Sequence, residues 1–432
     1  MADDADGVGF DFGYVVSNEP NDGAENSSIF GQKCSVPMHR SGHRMFEDNG
    51  YVYVLGGYTP GLRRPFGTLM ELHALNKITE TWTLVKTDGE FPGQMASMAI
   101  AQNNAKNCVF VMGGTAFPFD RHCTNAISAL IRCERFDHWR WQRIRVRGNI
   151  PGPMYGHSMV YVEGDGLYVF GGTSGHEYFN RVYKLQQPSR GKLTKEMLEQ
   201  EWTWFVHWKG PDDFARRYRH EMFTLKYGAL IVGGGYEGSP RSMAMVLYYD
   251  IRKKKYVSLP TKADPVHGYP KKRMYQSSVR VGNIGIILGG KMGAQDIFGN
   301  YKVTGEIWSI SLTNLQWKKI GQMKTPAFFH SSVASSEGTI YTFGGCLDGD
   351  GTRRTNELQK FQFGSSSLLH LAFRKCVSSL HFFVPKIVDE YDANTITRKW
   401  HELIPKLVEA DADWNRRLEH AQEDEPTQEA EA

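Results

Sequence analysis

This chain of 432 residues contains little cysteine and none of the common catalytic motifs. Its six cysteines are scattered, and no two of them have the CxxC spacing of a structural zinc site or a redox pair. HExxH, GxSxG and Walker A motifs are also missing. We therefore expect reduced thiols, no metal, no cofactor and no catalytic residues, so that the chain is not itself an enzyme.

Long apolar runs are missing as well. No run approaches the ~18 residues that a membrane-spanning helix needs. The N-terminus, MADDADGVGF, is acidic and lacks the basic and then apolar order of a signal peptide. We expect a cytoplasmic or nuclear protein, or one present in both compartments, that binds no membrane.

Positive charge is scarce at the two ends of the chain. Residues 1–28 contain seven acids and no Lys or Arg, and residues 408–432 contain nine acids and two Arg. Each end therefore has a net charge of −7, whereas the residues between them carry +18. Such acidic segments are typical of disorder, and we expect tails over 1–28 and 409–432. The basic body favours an acidic partner or a carboxylate, although the opposite charges could also only maintain solubility. Its basic residues form no aromatic-basic stripe, so we expect no nucleic acid partner.

Glycine, in contrast, is abundant and regularly placed. Six apolar runs end in a glycine pair: VYVLGG (56–57), VFVMGG (113–114), LYVFGG (171–172), LIVGG (233–234), GIILGG (289–290) and IYTFGG (344–345). A repeat of roughly 50 residues whose strand ends in Gly-Gly is typical of a kelch β-propeller. The sequence therefore predicts an all-β fold, a six-bladed kelch propeller over residues 29–363.

Each repeat has the same internal order. A strand that usually contains His comes first, and the Gly-Gly strand, a third strand and a fourth strand with an aromatic residue follow. We align His43, Ala96, His157, His220, Gln276 and His330 as equivalent positions. The fourth-strand aromatics are Trp82, Trp141, Trp202 or Trp204, Tyr256 and Trp317. Such aromatics can fill the wedge between adjacent blades.

Two repeats depart from this order. The third contains an insertion at residues 186–201 whose KLTKEMLEQ part is rich in helix-forming residues. The sixth lacks a fourth strand, which would leave an unpaired edge. We predict that residues 28–36, SIFGQKCSV, close the ring as that strand.

Ligands of propellers bind where loops converge at one end of the channel. The loops before the His strands are rich in aromatics, and the fourth repeat adds the basic cluster Ala215-Arg216-Arg217-Tyr218-Arg219-His220. Because Arg can hold a carboxylate through two charge-assisted hydrogen bonds, this cluster is a candidate carboxylate clamp. The alternative is that these arginines pair with acids of neighbouring blades and that the recurring His are core residues.

Helical periodicity replaces the repeats after residue 363. The segment SSSLLHLAFRKCVSSLHFF (365–383) places Leu368, Ala372 and Cys376 on one face, with Ser367 at a helix N-cap position. Ser367-Leu368-xxx-Ala372-xxx-Cys376 resembles a BC box, the elongin-binding helix of cullin-RING substrate receptors. Downstream, Val384-Pro385-Lys386-Ile387-Val388-Asp389-Glu390-Tyr391 resembles a cullin-2 box.

A kelch ring followed by these two boxes, over residues 365–408, resembles the kelch-repeat substrate receptors of cullin-2 RING ubiquitin ligases. The resemblance implies elongin B, elongin C and cullin-2 as partners. Elongin would contact Leu368, Ala372 and Cys376, and cullin-2 would contact Val384, Pro385, Ile387 and Tyr391. It also implies capture of C-terminal degrons that end in Gly or Ala. The implied degron-binding residues are Arg217, Arg219, Tyr218, Tyr155 and Ser41, with Arg273 and Lys291 in reserve. The alternative function is a kelch scaffold that binds actin or a phosphatase, whose C-terminal helices only cap the fold.

Overall fold

The computed structural model describes residues 15–16 and 36–363, apart from gaps at 49, 62–66, 78–79, 134–137, 211–215, 237–238, 296–300 and 337. Contacts divide the chain into residues 1–366 and residues 367–432, and only the first part contains described residues. That part is nearly all β, as a kelch propeller requires. Among the described residues, the one helix covers Lys195–Glu199, far too short to cross a membrane.

The strands follow the repeats. The first part of the chain contains β1 (Val15–Val16), β2 (Arg44–Glu47), β3 (Tyr51–Leu55), β4 (Leu72–Asn76), β5 (Trp82–Asp88), β6 (Ala99–Gln102), β7 (Cys108–Met112), β8 (Thr115–Ala116), β9 (His122–Cys123), β10 (Ile127–Arg132), β11 (His138–Arg143) and β12 (Arg145–Gly148). The middle contains β13 (Ser158–Val162), β14 (Gly166–Phe170), β15 (Val182–Gln186), β16 (Glu201–Trp208), β17 (Glu221–Leu225), β18 (Gly228–Val232), β19 (Gly235–Tyr236), β20 (Ser239–Pro240), β21 (Met245–Asp250) and β22 (Lys255–Pro260). The last part contains β23 (Arg273–Met274), β24 (Ser277–Val281), β25 (Ile284–Leu288), β26 (Lys291–Gln295), β27 (Tyr301–Val303), β28 (Glu306–Ser311), β29 (Trp317–Gln322), β30 (Ser331–Ala334), β31 (Thr339–Phe343) and β32 (Leu358–Gln362).

Each repeat forms a four-stranded antiparallel unit whose strands pair in the order first, second, third, fourth. Unit 1 contains β2–β5, unit 2 contains β6, β7, β10 and β11, and unit 3 contains β13–β16. Unit 4 contains β17, β18, β21 and β22, unit 5 contains β24, β25, β28 and β29, and unit 6 contains β30–β32 with β1. The remaining short strands form hairpins in loops or pair at the outer edge of unit 3.

The glycine pairs lie where one unit meets the next, and we call this contact the seam. Gly171 has φ +61°, and a Cβ at this position would lie 2.6 Å from the Arg217 carbonyl oxygen and 2.9 Å from His220 Cε1 of the next unit. Only glycine adopts this backbone conformation cheaply and leaves room for the neighbouring chain. The N–H of the second glycine, Gly172, donates to the same Arg217 oxygen at 2.8 Å. The bond from Gly345 to Arg40 O, also 2.8 Å, joins unit 6 to unit 1 in the same way.

Aromatic side chains fill the spaces between units, as their spacing predicts. Trp202 of unit 3 packs against Phe110 of unit 2 with ring centroids 5.5 Å apart, and Trp82 of unit 1 packs against Phe343 of unit 6 at 5.5 Å. In unit 2 this role falls to the fully buried Trp139, which packs against Phe46 of unit 1 at 5.4 Å. The buried apolar clusters therefore span adjacent units, including units 6 and 1.

The outer edge of unit 6 is covered from the N-terminus, but by an earlier segment than we predicted. Val15–Val16 pairs antiparallel with β32, in the register Val15 with Gln359 and Val16 with Leu358. Residues 28–35 of the predicted closing strand lie outside the described residues. Edge strands need such covering because their free N–H and C=O groups otherwise invite pairing with other chains.

The insertion in unit 3 contains the predicted helix. Thr194 caps the helix Lys195–Glu199, since its hydroxyl accepts from Met197 N at 3.4 Å. Met197 and Leu198 are buried, and Met197 O accepts from Trp202 Nε1 at 2.9 Å. The helix therefore packs beside the fourth strand of its own unit.

Candidate functional site

Backbone hydrogen bonds join five of the six pairs of neighbouring units immediately before their first strands, and we call the six residues concerned the ring. The ring residues are Gly42, Ser97, Gly156, Arg219, Tyr275 and Phe329. Five bonds of 2.7–3.0 Å run from the N–H of one ring residue to the C=O of the ring residue in the preceding unit. The bond from Gly42 to Phe329 O, 2.9 Å, connects units 1 and 6.

This ring corrects our alignment of the second repeat. Ser97 has φ +62°, as the other ring residues have φ between +55° and +67°, and Ala96 pairs with Thr115 as Ser41 pairs with Tyr58. The residue equivalent to His43 is therefore Met98, two residues after Ala96. Because Met98 replaces the His of other repeats, the sequence offered no marker there.

Four ring residues are not glycine and yet have positive φ. Ser97, Arg219, Tyr275 and Phe329 adopt +62°, +55°, +61° and +57°. Such backbone strain persists only where the surrounding structure imposes it, and it concentrates at functional sites. Here the hydrogen bonds between neighbouring units impose it and hold these side chains close to one another.

Arg219 reaches across the ring. Its Nη2 donates to Ser97 Oγ of unit 2, and its Cζ lies 4.4 Å from the Phe329 ring centre of unit 6. Only 7% of the residue is exposed, and its Nε has no hydrogen-bond partner. The ion pairs of the described residues do not include Arg219. Its charge is therefore held by aromatic rings and by the hydroxyls of Ser97 and Tyr218, and it remains available to an anion.

Aromatic rings surround Arg219, and we call the whole group the axial cluster. It comprises Arg219, Tyr155, Tyr178, Tyr218, Tyr275, Phe328 and Phe329. Tyr218 lies 5.6 Å from Tyr155, 5.8 Å from Tyr275 and 6.1 Å from Tyr178, measured between ring centres. Burial raises the pKa of the Tyr155 and Tyr275 hydroxyls, so both stay protonated and can donate hydrogen bonds.

Glycines in the ring make room for this cluster. A Cβ at Gly156 would overlap the Tyr218 ring, and one at Gly42 would lie 3.5 Å from Arg219 Nη2. Gly156 therefore allows Tyr218 to pack in this position, whereas a Cβ at Gly42 would only touch Arg219.

Ser41 and Lys291 lie on loops beside the cluster. Ser41 Oγ accepts from Arg354 Nε at 3.0 Å, and the Arg354 guanidinium lies 4.9 Å from the Tyr58 ring centre. Lys291 Nζ lies 5.6 Å from the ring centre of Phe328, and partial burial lowers its pKa. Sequence reasoning included Ser41 and Lys291 but missed Tyr178, Ser97 and Arg354, because nothing in their spacing marks them.

Arg273 and Arg217 have different surroundings from Arg219. The fully buried Arg273 donates to Gly289 O at 3.3 Å and pairs with Glu306 at 2.6 Å, so its guanidinium is occupied within unit 5. Arg217 donates to Gly233 O at 2.8 Å within unit 4. The structure thus brings Arg219, Tyr218 and Tyr155 together and leaves Arg273 out of that group.

Beneath Arg219, an ion pair crosses between the first strands of units 1 and 4. Arg44 Nη1 lies 3.8 Å from Glu221 Oε1, and Glu221 Oε2 accepts from Ser278 Oγ at 2.8 Å. This acid is therefore already engaged by Arg44 and Ser278.

The recurring histidines belong to the seam. Burial lowers the pKa of His157 and His220 to about 3 and that of His330 to about 4, and it holds the pKa of His43 well below its usual value. Neutral imidazoles therefore pack against the first glycine of the preceding unit. Within the described part of the chain, no group of three His, Cys, Asp or Glu side chains is arranged to hold a metal.

The predicted elongin and cullin contacts, Leu368, Ala372, Cys376, Val384, Pro385, Ile387 and Tyr391, lie outside the described residues.

Comparisons with known proteins agree with the fold. The KLHDC2/KLHL20/DRC7 Kelch-repeats domain matches residues 104–345. The chain is 30% identical to human Kelch domain-containing protein 10 over 356 residues, which cover 79% of this chain and 74% of that protein. It is 30% identical to the Xenopus laevis protein of the same name over 360 residues, 81% of each chain. It is also 23% identical to bovine Kelch domain-containing protein 2 over 372 residues, 80% of this chain and 86% of that one.

Proposed function

Because this chain belongs to the KLHDC2/KLHL20/DRC7 kelch-repeat family, we propose that it is a non-catalytic substrate-recognition subunit of a cullin-2–elongin B/C ubiquitin ligase. In this proposal it captures partner proteins by a C-terminus that ends in Gly or Ala, in the cytoplasm, the nucleus or both. The axial cluster binds the C-terminus, and residues 365–408 bind elongin B, elongin C and cullin-2.

The proposal includes a closed, six-bladed propeller. Three observations support it: the backbone ring through Gly42 and Phe329, the hydrogen bond from Gly345 to Arg40, and the Trp82–Phe343 contact. Each of them joins unit 6 to unit 1. A closed propeller would place the ring residues around one axis, where a single ligand can touch several units.

The observation that carries the binding function is Arg219, a buried guanidinium in an aromatic cluster that forms no ion pair with any described carboxylate. A peptide carboxylate would supply the missing negative charge through charge-assisted hydrogen bonds. The protonated hydroxyls of Tyr155 and Tyr275 could add further donors, and the aromatic rings would exclude water. The crowding of Tyr218, Tyr275 and Phe329 around Arg219 favours a small terminal residue such as Gly or Ala.

A binding assay tests the carboxylate. Labelled ten-residue peptides that end in Gly or Ala should bind, whereas the same peptides with a C-terminal amide should bind at least tenfold more weakly, about 1.4 kcal/mol. A matched peptide that ends in Leu should also bind weakly, because the rings crowd Arg219. Equal affinity for the acid and amide forms would rule out a carboxylate site.

Co-purification tests the ligase assignment. Elongins B and C should copurify with the wild type and not with Leu368→Asp, whereas Thr427→Asp, a charge in the acidic tail, should retain them. If Leu368→Asp keeps its elongins, or if neither protein binds them, the kelch scaffold that binds actin or a phosphatase is the better description.

A further inference from the structure

Units 1, 4 and 5 share an arginine that the other units lack. It lies three residues before the seam position of each unit: Arg40 in unit 1, Arg217 in unit 4 and Arg273 in unit 5. The equivalent residues of units 2, 3 and 6 are the buried, apolar Met95, Met154 and Ala327. The partners of these three arginines can therefore be compared within one molecule.

In units 1 and 5 the arginine has a carboxylate partner at the start of the third strand or immediately before it. Arg40 donates to Gly56 O at 3.0 Å and pairs with Glu71 at 2.6 Å. Arg273 has the equivalent bonds to Gly289 O and Glu306. Both arginine side chains are fully buried, so the glutamates neutralise charges that water does not reach.

In unit 4 no carboxylate of the described residues takes this place. Arg217 keeps the bond to its glycine carbonyl, Gly233 O at 2.8 Å, but its Nε has no hydrogen-bond partner. The register of β18 with β21, in which Ile231 lies opposite Leu247, continues to place Met245 opposite Gly233. Met245 thus stands where Glu71 and Glu306 stand, and it is 42% exposed. Among the ion pairs of the described residues, none includes Arg217, which is only 7% exposed.

A second guanidinium lies nearby. Arg241 N donates to Gly234 O at 2.8 Å, and its Cζ lies 4.6 Å from the Tyr236 ring centre. Burial and the charge of Arg241 together lower the pKa of Arg217 to about 10. Among the described residues, neither of these two neighbouring cations has an acidic partner, and such a pair favours the binding of an anion.

Aromatic rings connect this pair to the axial cluster. Tyr218, which lies beside Arg219, is 6.1 Å from Tyr178, and Tyr178 is 6.3 Å from Tyr236. Arg241 lies over Tyr236. An extended peptide that covers these rings could therefore place one anionic group at Arg219 and a second one at Arg217 and Arg241.

We propose that Arg217 and Arg241 form a second anion-binding subsite, which takes the side-chain carboxylate of an Asp or Glu located a few residues before the ligand's C-terminus. This inference rests on the proposed function, since the terminal carboxylate would occupy Arg219. The acid that units 1 and 5 carry within the chain is supplied in unit 4 by the ligand.

The test compares the affinities of peptides with Glu and with Gln, and it uses Met245→Glu to supply unit 4 with the glutamate that units 1 and 5 have. Peptides ending in Gly carry a single Glu at each of the second to sixth positions from the end, and control peptides carry Gln there. The best Glu peptide should bind the wild type about tenfold more tightly than its Gln control, about 1.4 kcal/mol. Met245→Glu should abolish this preference because its own carboxylate neutralises Arg217. Arg241→Gln should weaken it, and Met70→Glu, the same change at an exposed site of unit 1 where Arg40 is already paired, should preserve it.

A second measurement separates this subsite from the proposed function. Inorganic phosphate should raise the melting temperature of the wild type and of Met70→Glu more than that of Met245→Glu. If no Gly-ending peptide binds but this difference appears, the degron function fails and the anion subsite stands. If the peptides bind, equal affinities for Glu and Gln peptides at every position would overturn the subsite. An equal response of Met245→Glu and Met70→Glu to phosphate would overturn it in either case.

Discussion

The seam and the ring are made by adjacent residues of the same six segments, and these two positions differ in how much they vary between units. At the seam, four units present His and one presents Gln against a glycine of the preceding unit. One residue earlier, the ring residues are Gly, Ser, Gly, Arg, Tyr and Phe. The repeated position fills the same space in each unit. The ring position varies between units, and the ring residues of several units lie close together, so each unit can contribute a different side chain to one site.

The largest expected effect is on the seam. Gly113→Ala should lower the free energy of unfolding by about 3 kcal/mol or more. The new Cβ would lie 2.5 Å from Met154 O and 2.6 Å from His157 Cε1, at φ +64°. Urea unfolding measures the change. Gly268→Ala is the matched control, because its φ is +71° but nothing lies within 4 Å of the Cβ position. It should cost about 1 kcal/mol, since only the backbone conformation is unfavourable. Similar losses in both variants would mean that the contact between units does not require glycine.

The axial cluster should respond in the opposite way. Arg219→Ala should weaken binding of a Gly-ending peptide by about a hundredfold, about 2.7 kcal/mol, because the terminal carboxylate loses its cation. The melting temperature should stay the same or rise, since the change removes a buried charge and does not disturb the seam. Calorimetric titration and thermal unfolding measure the two effects. Arg140→Ala, an exposed arginine of β11, should change neither. A large loss of stability in Arg219→Ala with unchanged affinity would assign Arg219 to the structural residues.

The seam histidines predict an acid-sensitive fold. Their folded-state pKa values lie below the usual 6.5, so the unfolded chain binds more protons and stability falls as the pH drops below about 6.5. His330, with a pKa of about 4, should account for about 2 kcal/mol of the loss between pH 7 and pH 5. Because unit 5 already uses Gln276 at this position, His330→Gln should remain folded and lose less stability on acidification. An unchanged slope of unfolding free energy against pH in this variant would show that His330 does not titrate in this way.

The same comparison explains what the sequence could and could not predict. Glycine pairs, fourth-strand aromatics and the helix-forming insertion are local signals, and the structure confirms the positions that they indicate except in unit 2, where Trp139 and not the predicted Trp141 packs against Phe46. The sequence could not predict the different contacts of Arg217 and Arg219, because the two residues are only two positions apart in the same basic cluster. Arg217 donates to Gly233 O of its own unit, whereas Arg219 donates to Ser97 of unit 2. This difference depends on residues that are distant in the chain, such as Met245 and Ser97. The second repeat was misaligned for a related reason: without a histidine, only the φ of Ser97 and its place in the hydrogen-bonded ring identify the position.

The smallest expected effect concerns the edge of unit 6. Deletion of residues 1–14 should leave the free energy of unfolding unchanged, because Val15–Val16 remains to pair with β32. Deletion of residues 1–27 removes this strand but keeps the segment 28–36, and it should cost about 1 kcal/mol for the lost backbone hydrogen bonds. Urea unfolding of the two truncated proteins separates these cases. If both are as stable as the full chain and a further deletion to residue 36 is not, the segment 28–36 closes the ring after all. Val15–Val16 would then contribute little to stability. The segment 28–36 would instead fill the fourth-strand position of unit 6, as a strand of the same repeat fills it in each of the other units.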